Sequence, residues 1–173
     1  MGATTRRGSV SILAEEHSEK REEILELLEK AYWMEIETVI NYIAASVNPD
    51  GLRAQEIAES LSEDVAEELR HAREFASRIK ELYGVVPGSA EFKPEQQSLQ
   101  PPEEQTDLVH VIRGVIEAEP GAIQHYGRII EACDGADWVT QDMAIEILHD
   151  EERHRRLFEG FLRELEGSSR SDV

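Results

Sequence analysis

Glu68-Leu69-Arg70-His71 and Glu151-Glu152-Arg153-His154 decide how this chain is read, because each sets a carboxylate and an imidazole three residues apart. Residues i and i+3 of an α-helix share a face, so each tetrad aims both groups at one point. Both pairs continue the apolar stripe of the stretch that carries them, where a carboxylate is costly unless it is paired or bound to metal. A third tetrad, Glu146-Ile147-Leu148-His149, behaves differently. Glu146 and His149 fall opposite Ala144, Leu148, Glu151 and Phe158, and read as solvent-facing.

Around the tetrads lie four helix-forming stretches. Apolar or small residues recur at Ile24, Leu28, Ala31, Tyr32, Val39, Tyr42 and Ala45, predicting a helix that ends near Ser46 and stops at Asn48-Pro49-Asp50-Gly51. A second runs from about Leu52 or Ala54 to Leu82, turning Ile57, Leu61, Val65, Phe75, Ile79 and Leu82 inward, with Gly84 closing it. Pro87, Pro94, Pro101 and Pro102 exclude a continuous helix between Val85 and Gln105. The third helix begins near Thr106 or Asp107, buries Val109, Ile112, Ile116, Ala122, Ile123, Tyr126 and Ile130, and ends at Gly135. Pro120 inside it should free the carbonyl of Ile116 and bend the axis. The fourth starts between Asp137 and Thr140 and continues to Glu166, with Ala144, Ile147, Leu148, Phe158, Phe161 and Leu165 inward. Two short connections flanking a long one predict an all-α four-helix bundle with a single crossover between the second and third helices. The division that follows is a flexible arm over 1–20, a bundle over 21–166 containing the crossover 85–105, and a polar tail over 167–173.

The first and third helices each offer two glutamates. Glu35 and Glu37 point about 200° apart at 3.6 residues per turn, so only one can face the tetrads. Glu35 shares its face with Leu28, Ala31, Val39 and Tyr42, whereas Glu37 aligns with Lys30 and Asn41. By the same test Glu119 lines up with Ile112, Ile116, Ala122, Ile123 and Tyr126, while Glu117 lines up with Arg113 and Gln124. The candidate metal ligands, which double as the catalytic set, are therefore Glu35, Glu68, His71, Glu119, Glu151 and His154. Four glutamates and two histidines converging between four helices are the ligand set of di-iron and di-manganese carboxylate bundles. Carboxylates that change binding mode, with one imidazole per ion, suit Fe(II) or Mn(II) better than softer metals.

The halves echo each other: 33 residues separate Glu35 from Glu68 and 32 separate Glu119 from Glu151, as in a degenerate repeat of two helical hairpins. Tyr42 and Tyr126 each follow the candidate ligand of their helix by seven positions, roughly 10 Å along the axis. Their hydroxyls either orient a ligand on a facing helix or the rings simply pack. His17, His110 and His125 match no partner at ligand spacing and read as surface residues.

Length and composition fit one soluble domain: 173 residues, 40% hydrophobic, with 11 Gly and 6 Pro. A net charge of -19 makes nucleic acid and anionic membrane surfaces poor partners and favours cations. Cys133 is the sole cysteine, which forbids an internal disulfide and sets a cytoplasmic location as the default. Val10 to Ala14 is too short for a signal segment, and no stretch approaches the ~18 apolar residues of a membrane span.

With these residues in place, the chain resembles the bacterioferritin branch of the ferritin-like superfamily over about residues 25 to 166. The resemblance is strongest from Asp142 to His154, and it includes Glu35 with Tyr42 and Glu68-Leu69-Arg70-His71-Ala72. It implies a ferroxidase that oxidises Fe(II) with dioxygen or hydrogen peroxide at a pair of iron ions, for iron storage or detoxification, and it implies the ligand role for the six residues above. A catalase-like or rubrerythrin-like peroxide-consuming enzyme, with manganese possible, is the alternative. A non-catalytic iron-sequestering scaffold is another. Leu69 stands where bacterioferritins carry a haem-ligating methionine, so no haem is expected. The chain also lacks the sequence of the short fifth helix of that family, and Trp33, Ile36 and Ile40 form a second apolar stripe, from which a homo-oligomer of at least two chains is expected.

Overall fold

The computed structural model describes residues 11–169. Four long helices make up the bundle: α1 Ser18–Val47, α2 Ala54–Glu81, α3 Leu108–Cys133 and α4 Trp138–Ser169. A one-turn 3₁₀ segment, Glu15–His17, leads into α1, and another, Ser89–Glu91, interrupts the crossover. No strand occurs among the described residues. α1 packs chiefly on α2 and α3 chiefly on α4, and the two hairpins join mainly through α1 and α3. This is the single-crossover, all-α four-helix bundle expected from the loop lengths. No helix among the described residues is long and apolar enough to cross a membrane.

The core is divided. Towards one end Ile24, Leu28, Phe75, Ile79, Ile129 and Ile147 pack together. Towards the other, Ile57, Leu61, Ile112, Val115 and Phe158 do the same. Each fully buried side chain of this size contributes roughly 1.5–3 kcal/mol. The two clusters are apolar stoppers on either side of a layer of buried charge.

Caps explain where the helices begin. Asp107 accepts from the backbone N–H of His110 at 3.0 Å and starts α3. Asp137 accepts from the N–H of Thr140 at 3.1 Å and starts α4. The Arg78 guanidinium on α2 donates to Asp137 at 2.8 Å and to Thr140 at 2.8 Å, tying the end of one hairpin to the start of the fourth helix.

Several details depart from the sequence reading. The expected arm over 1–20 already contains helix from Ser18. Ile12 is buried, and Arg21 donates to the carbonyls of Ile12 and Ala14, so residues 11–17 are packed against the bundle. Residues 1–10, the rest of that arm, lie outside the described residues. The tail expected from 167 is helical to Ser169, and its remainder also lies outside them. At the end of α2 the left-handed residue is Tyr83 (φ 67°), with Gly84 N–H donating to the Ile79 carbonyl at 2.9 Å. Gly84 is needed for another reason: a Cβ there would stand 2.7 Å from Leu25 Cδ2. Gly135, expected to end α3, follows its last residue Cys133 by two positions and takes the left-handed conformation (φ 67°).

The buried face of α3 is wider than expected, because Val111, Val115 and Ile129 are buried and Ile123 is only half-buried. The crossover accounts for this. It lays Ser98 and Leu99 over α3 so closely that a Cβ on Gly114 would meet the Ser98 carbonyl oxygen at 2.7 Å. Trp33 lies beneath the same segment, 5.4 Å from the Phe92 ring, and so does not belong to the exposed stripe assigned to it. His125 is buried as well, hydrogen-bonded to the Leu27 carbonyl at 2.8 Å across the α1–α3 contact. The sequence reading had set His125 on the surface because it matched no ligand partner, and its burial comes from a backbone carbonyl of the facing helix. α3 runs through Pro120 without interruption.

Candidate metal centre

Each helix delivers its share of one cluster. α1 contributes Glu35, α2 contributes Glu68 and His71, α3 contributes Glu119, and α4 contributes Glu151 and His154. None is more than 3% exposed. Ligand atoms of Glu35, Glu68, His71 and Glu151 lie within 4.8 Å of one another, as do those of Glu119, Glu151 and His154, with Glu151 in both groups. The sequence-derived residues are thus brought to one place as two adjoining sets that share a carboxylate. Glu146 and His149, in the third tetrad, are exposed.

Histidine orientation divides inside from outside. His71 Nδ1 is 3.3 Å from Glu68 and 3.5 Å from Glu151, and His154 Nδ1 is 3.3 Å from Glu68. The outer nitrogens face other carboxylates: His71 Nε2 is 3.2 Å from Asp150, and His154 Nε2 is 2.9 Å from Glu67. Each imidazole is therefore steadied by an acid on the opposite helix, an arrangement that fixes tautomer and ring direction. Arg70 donates to Asp150 at 2.8 Å, and Arg153 to Glu67 at 2.7 Å, closing a ring across the α2–α4 seam. Glu67 and Asp150 were not among the sequence-derived candidates. The signal was present, since an acidic residue precedes the glutamate of each tetrad, giving Glu67-Glu68-Leu69-Arg70-His71 and Asp150-Glu151-Glu152-Arg153-His154.

Two tyrosines cross in the opposite sense. Tyr42 on α1 donates to Glu119 on α3 at 2.8 Å, and Tyr126 on α3 donates to Glu35 on α1. Both hydroxyls therefore hold a carboxylate on the facing helix, the more specific of the two roles left open by the sequence. Glu37 turns away from the cluster, as expected, but it is buried. Its Oε1 accepts from the backbone N–H groups of Glu95 at 2.7 Å and Gln96 at 2.8 Å and pins the crossover to α1.

So much buried acid distorts proton affinities. Burial, then repulsion from Glu68 and Glu151, raises Glu35 well above the usual carboxylate range. Burial and Glu151 do the same to Glu119. Burial opposes charge on His71, but hydrogen bonds with Glu151 and Glu68 outweigh it and push the imidazole up to about 10. His154, with the same partners, is pushed up to about 12. Burial would raise Glu68, yet the two imidazoles hold it well below its usual value. The protein thus keeps protons where cations would neutralise the cluster.

The donor set fits a metal pair. Glu68 Oε1, Glu119 Oε2, Glu151 Oε1 and His154 Nδ1 are buried and make no well-aligned hydrogen bond among the described residues, although His154 Nδ1 and Glu68 Oε1 face each other at 3.3 Å as a charge pair. Unpartnered buried polar atoms are rare in folded proteins because each carries a desolvation cost. All four point into one cluster of oxygen and imidazole donors, the mixture suited to iron and manganese.

A four-helix bundle with a buried layer of four glutamates and two histidines defines the ferritin-like carboxylate class. Residues 25–168 match the ferritin-like domain family, and the chain belongs to it. The DNA protection during starvation protein of Pyrococcus furiosus is 32% identical over 144 residues, covering 82% of this chain and 77% of that protein. The bacterioferritin of Desulfovibrio desulfuricans is 26% identical over 148 residues, covering 85% and 78%. Among solved structures, the dodecameric thioferritin of Bacteroides fragilis, a bacterioferritin-related protein, superposes with a TM-score of 0.76 at 22% identity, covering 91% of this chain and 98% of that one. The D. desulfuricans bacterioferritin, described with a diiron site, superposes at 0.74 and 23% identity, covering 87% and 84%. Identities this low show a shared fold.

Proposed function

We propose that this protein is a ferroxidase, binding two Fe(II) ions as substrate at Glu35, Glu68, His71, Glu119, Glu151 and His154 and oxidising them to Fe(III). Two electrons pass to dioxygen or hydrogen peroxide, which takes up two protons from solvent and leaves as hydrogen peroxide or as two waters respectively. The observation that carries this reading is the convergence on one point of four buried donor atoms that make no well-aligned hydrogen bond. An apolar core needs no such arrangement, and the ion pairs of His71 and His154 set two imidazoles against four buried carboxylates, a surplus that a pair of divalent cations would satisfy. Tyr42 and Tyr126 hold Glu119 and Glu35 in place, while Glu67 and Asp150 orient the imidazoles.

Iron storage or protection is the physiological setting that the relatives' names, a DNA protection during starvation protein and a bacterioferritin, support. Protection by removing Fe(II) fits the net charge of -19 better than protection by coating DNA, because both partners would be polyanions. Leu69 offers no donor atom and its side chain is exposed, so the reading includes no haem. The test is aerobic and anaerobic addition of Fe(II), followed by the rise of ferric absorbance. Oxidation faster than that of free Fe(II), saturating at two ions per chain, is the expected result. Binding without acceleration would overturn the enzymatic reading and leave a sequestering protein.

A further inference from the structure

The cluster can be approached through two seams, and they are built differently. On the α2–α4 side, the imidazoles of His71 and His154 stand in the way, backed by Glu67 and Asp150 and bridged by Arg70 and Arg153. A cation arriving there would meet two guanidinium groups and would have to displace two of its own ligands.

On the α1–α3 side there is space. A cavity of about 20 Å3 adjoins Glu35, Glu119 and Glu151. That is room for one water-sized species and no more. Outside it, between α1, α3 and the crossover, lies an open groove of about 510 Å3. Met34, Gln96 and Ala118 line both, so these three side chains form the partition. Ala118 is small. Gln96 comes from the crossover, and α1 clamps it: its amide nitrogen donates to Thr38 at 2.7 Å, its amide oxygen accepts from Asn41 at 2.8 Å, and its backbone N–H donates to Glu37 at 2.8 Å. The groove beyond carries Glu37, Glu95 and Glu117 against Lys30 and Arg128, with Lys30 tied to Glu95, and His125 donating to the Leu27 carbonyl of α1. Glu119 Oε2 and Glu151 Oε1, unpartnered, belong to residues lining the inner cavity.

We propose that divalent cations reach the centre through the α1–α3 seam and that Gln96 is the residue whose release sets the rate of their passage. The idea rests on the reading of the cluster as a metal site and goes beyond it by assigning a route. A groove with three carboxylates to two cationic side chains, one of them already paired with Glu95, collects the cation. The 20 Å3 cavity admits it only after its hydration shell is shed, and the carboxylates of Glu35, Glu119 and Glu151 replace the lost water. Passage therefore needs a single amide side chain to swing out of its hydrogen bonds with Thr38 and Asn41, with no movement of a helix and no ligand displaced. The crossover supplies that side chain.

Anaerobic stopped-flow mixing of the metal-free protein with Co(II), followed by its visible d–d absorption, reads the passage without any oxidation chemistry. Gln96→Ala should load faster by roughly tenfold, the scale of two released hydrogen bonds, while equilibrium titration still gives the wild-type number of ions. Asn41→Ala, which frees the same amide oxygen from the α1 surface, should accelerate loading in the same direction and does not touch the cavity wall. Unchanged loading rates in both variants at normal stoichiometry would overturn the route while leaving the metal site standing. Acceleration by Arg153→Ala but not by Gln96→Ala would place the route through the α2–α4 seam and would also overturn it. Absence of Co(II) binding in the wild-type protein would overturn both the route and the site on which it rests.

Discussion

Tyr126 on α3 donates its hydroxyl proton to Glu35 on α1, and the relationship is mirrored by Tyr42 on α1, which donates to Glu119 on α3. Each tyrosine follows its own helix's glutamate by two turns and serves the glutamate of the other hairpin. The same exchange recurs on the far side, where Glu67 steadies His154 and Asp150 steadies His71. The two hairpins are therefore interlocked at every member of the centre, so that disturbing one hairpin reaches the ligands of the other. Tyr42→Phe and Tyr126→Phe should each cost about 1–3 kcal/mol of metal-free stability, because a buried carboxylate oxygen loses its donor. Co(II) affinity should fall by about 10–100-fold. Urea unfolding and anaerobic titration measure the two; wild-type values in both would show that the rings merely pack.

The histidines separate a metal site from an ion-pair network. His71→Ala and His154→Ala should each abolish rapid Fe(II) oxidation, since each removes an imidazole and leaves buried carboxylates uncompensated. His149→Ala should be nearly silent because His149 is exposed. Ferric absorbance after Fe(II) addition distinguishes them, and a wild-type rate in either of the first two variants would remove that residue from the centre.

The six residues of the cluster were legible in the sequence because a three-residue spacing on a helix fixes a common face, and because only one glutamate on α1 and one on α3 continued the apolar stripe. Glu67 and Asp150 escaped because their role depends on the opposite helix, which periodicity along one helix does not reveal. Trp33 was misplaced, and Val111 and Val115 were left off the buried face, for a related reason. The crossover covers a second face of α1 and α3, and a proline-rich connection carries no periodic mark of what it will lie on.

Metal binding should strengthen as pH rises. Glu35 and Glu119 are raised above the ordinary carboxylate range, and His71 and His154 are raised to about 10 and about 12. Folded metal-free protein thus holds protons on these four groups that the unfolded chain would release, so their contribution to stability is fully present at low pH and declines as pH rises through their raised values, while the depressed Glu68 contributes in the opposite sense. Cations must displace the same protons. The gain in Tm on adding Mn(II) should therefore grow between about pH 6 and pH 8, with protons released on binding, measurable with an indicator dye. A gain in Tm independent of pH would contradict the protonated centre.

The exposed stripe on α1 now has different members. Trp33 packs under Phe92, while Ile40, Ile43 and Val47 remain exposed along the outer face. Their spacing of three and four residues keeps them on one side of the helix. A second copy of the chain is the expected cover for such a stripe, with isologous contact about a two-fold axis. Ile40→Glu should lower the mass in solution, and Trp33→Glu should instead loosen the crossover. Sedimentation at micromolar protein reads the first; an unchanged mass for Ile40→Glu would exclude this face from assembly.

Cys133 tests the packing at the end of α3 without touching the centre. Its side chain is fully buried beside Tyr126, Ile129 and Ile147, and burial, reinforced by Asp137, pushes the thiol up to about 12. Only the thiolate reacts with an alkylating reagent, and near pH 8 very little is present even where the reagent can reach it. Iodoacetamide should therefore label the native protein far more slowly than the chain unfolded in urea, where the ordinary thiol pKa of about 8.5 returns. The labelling rate in native protein should track the opening of this end of the bundle, and Mn(II) should leave it unchanged if that opening is local or slow it if opening requires the whole bundle. Rapid native labelling at neutral pH, read by mass spectrometry, would show that the apolar cluster around Ile24, Leu28 and Ile129 does not close over the α3 terminus.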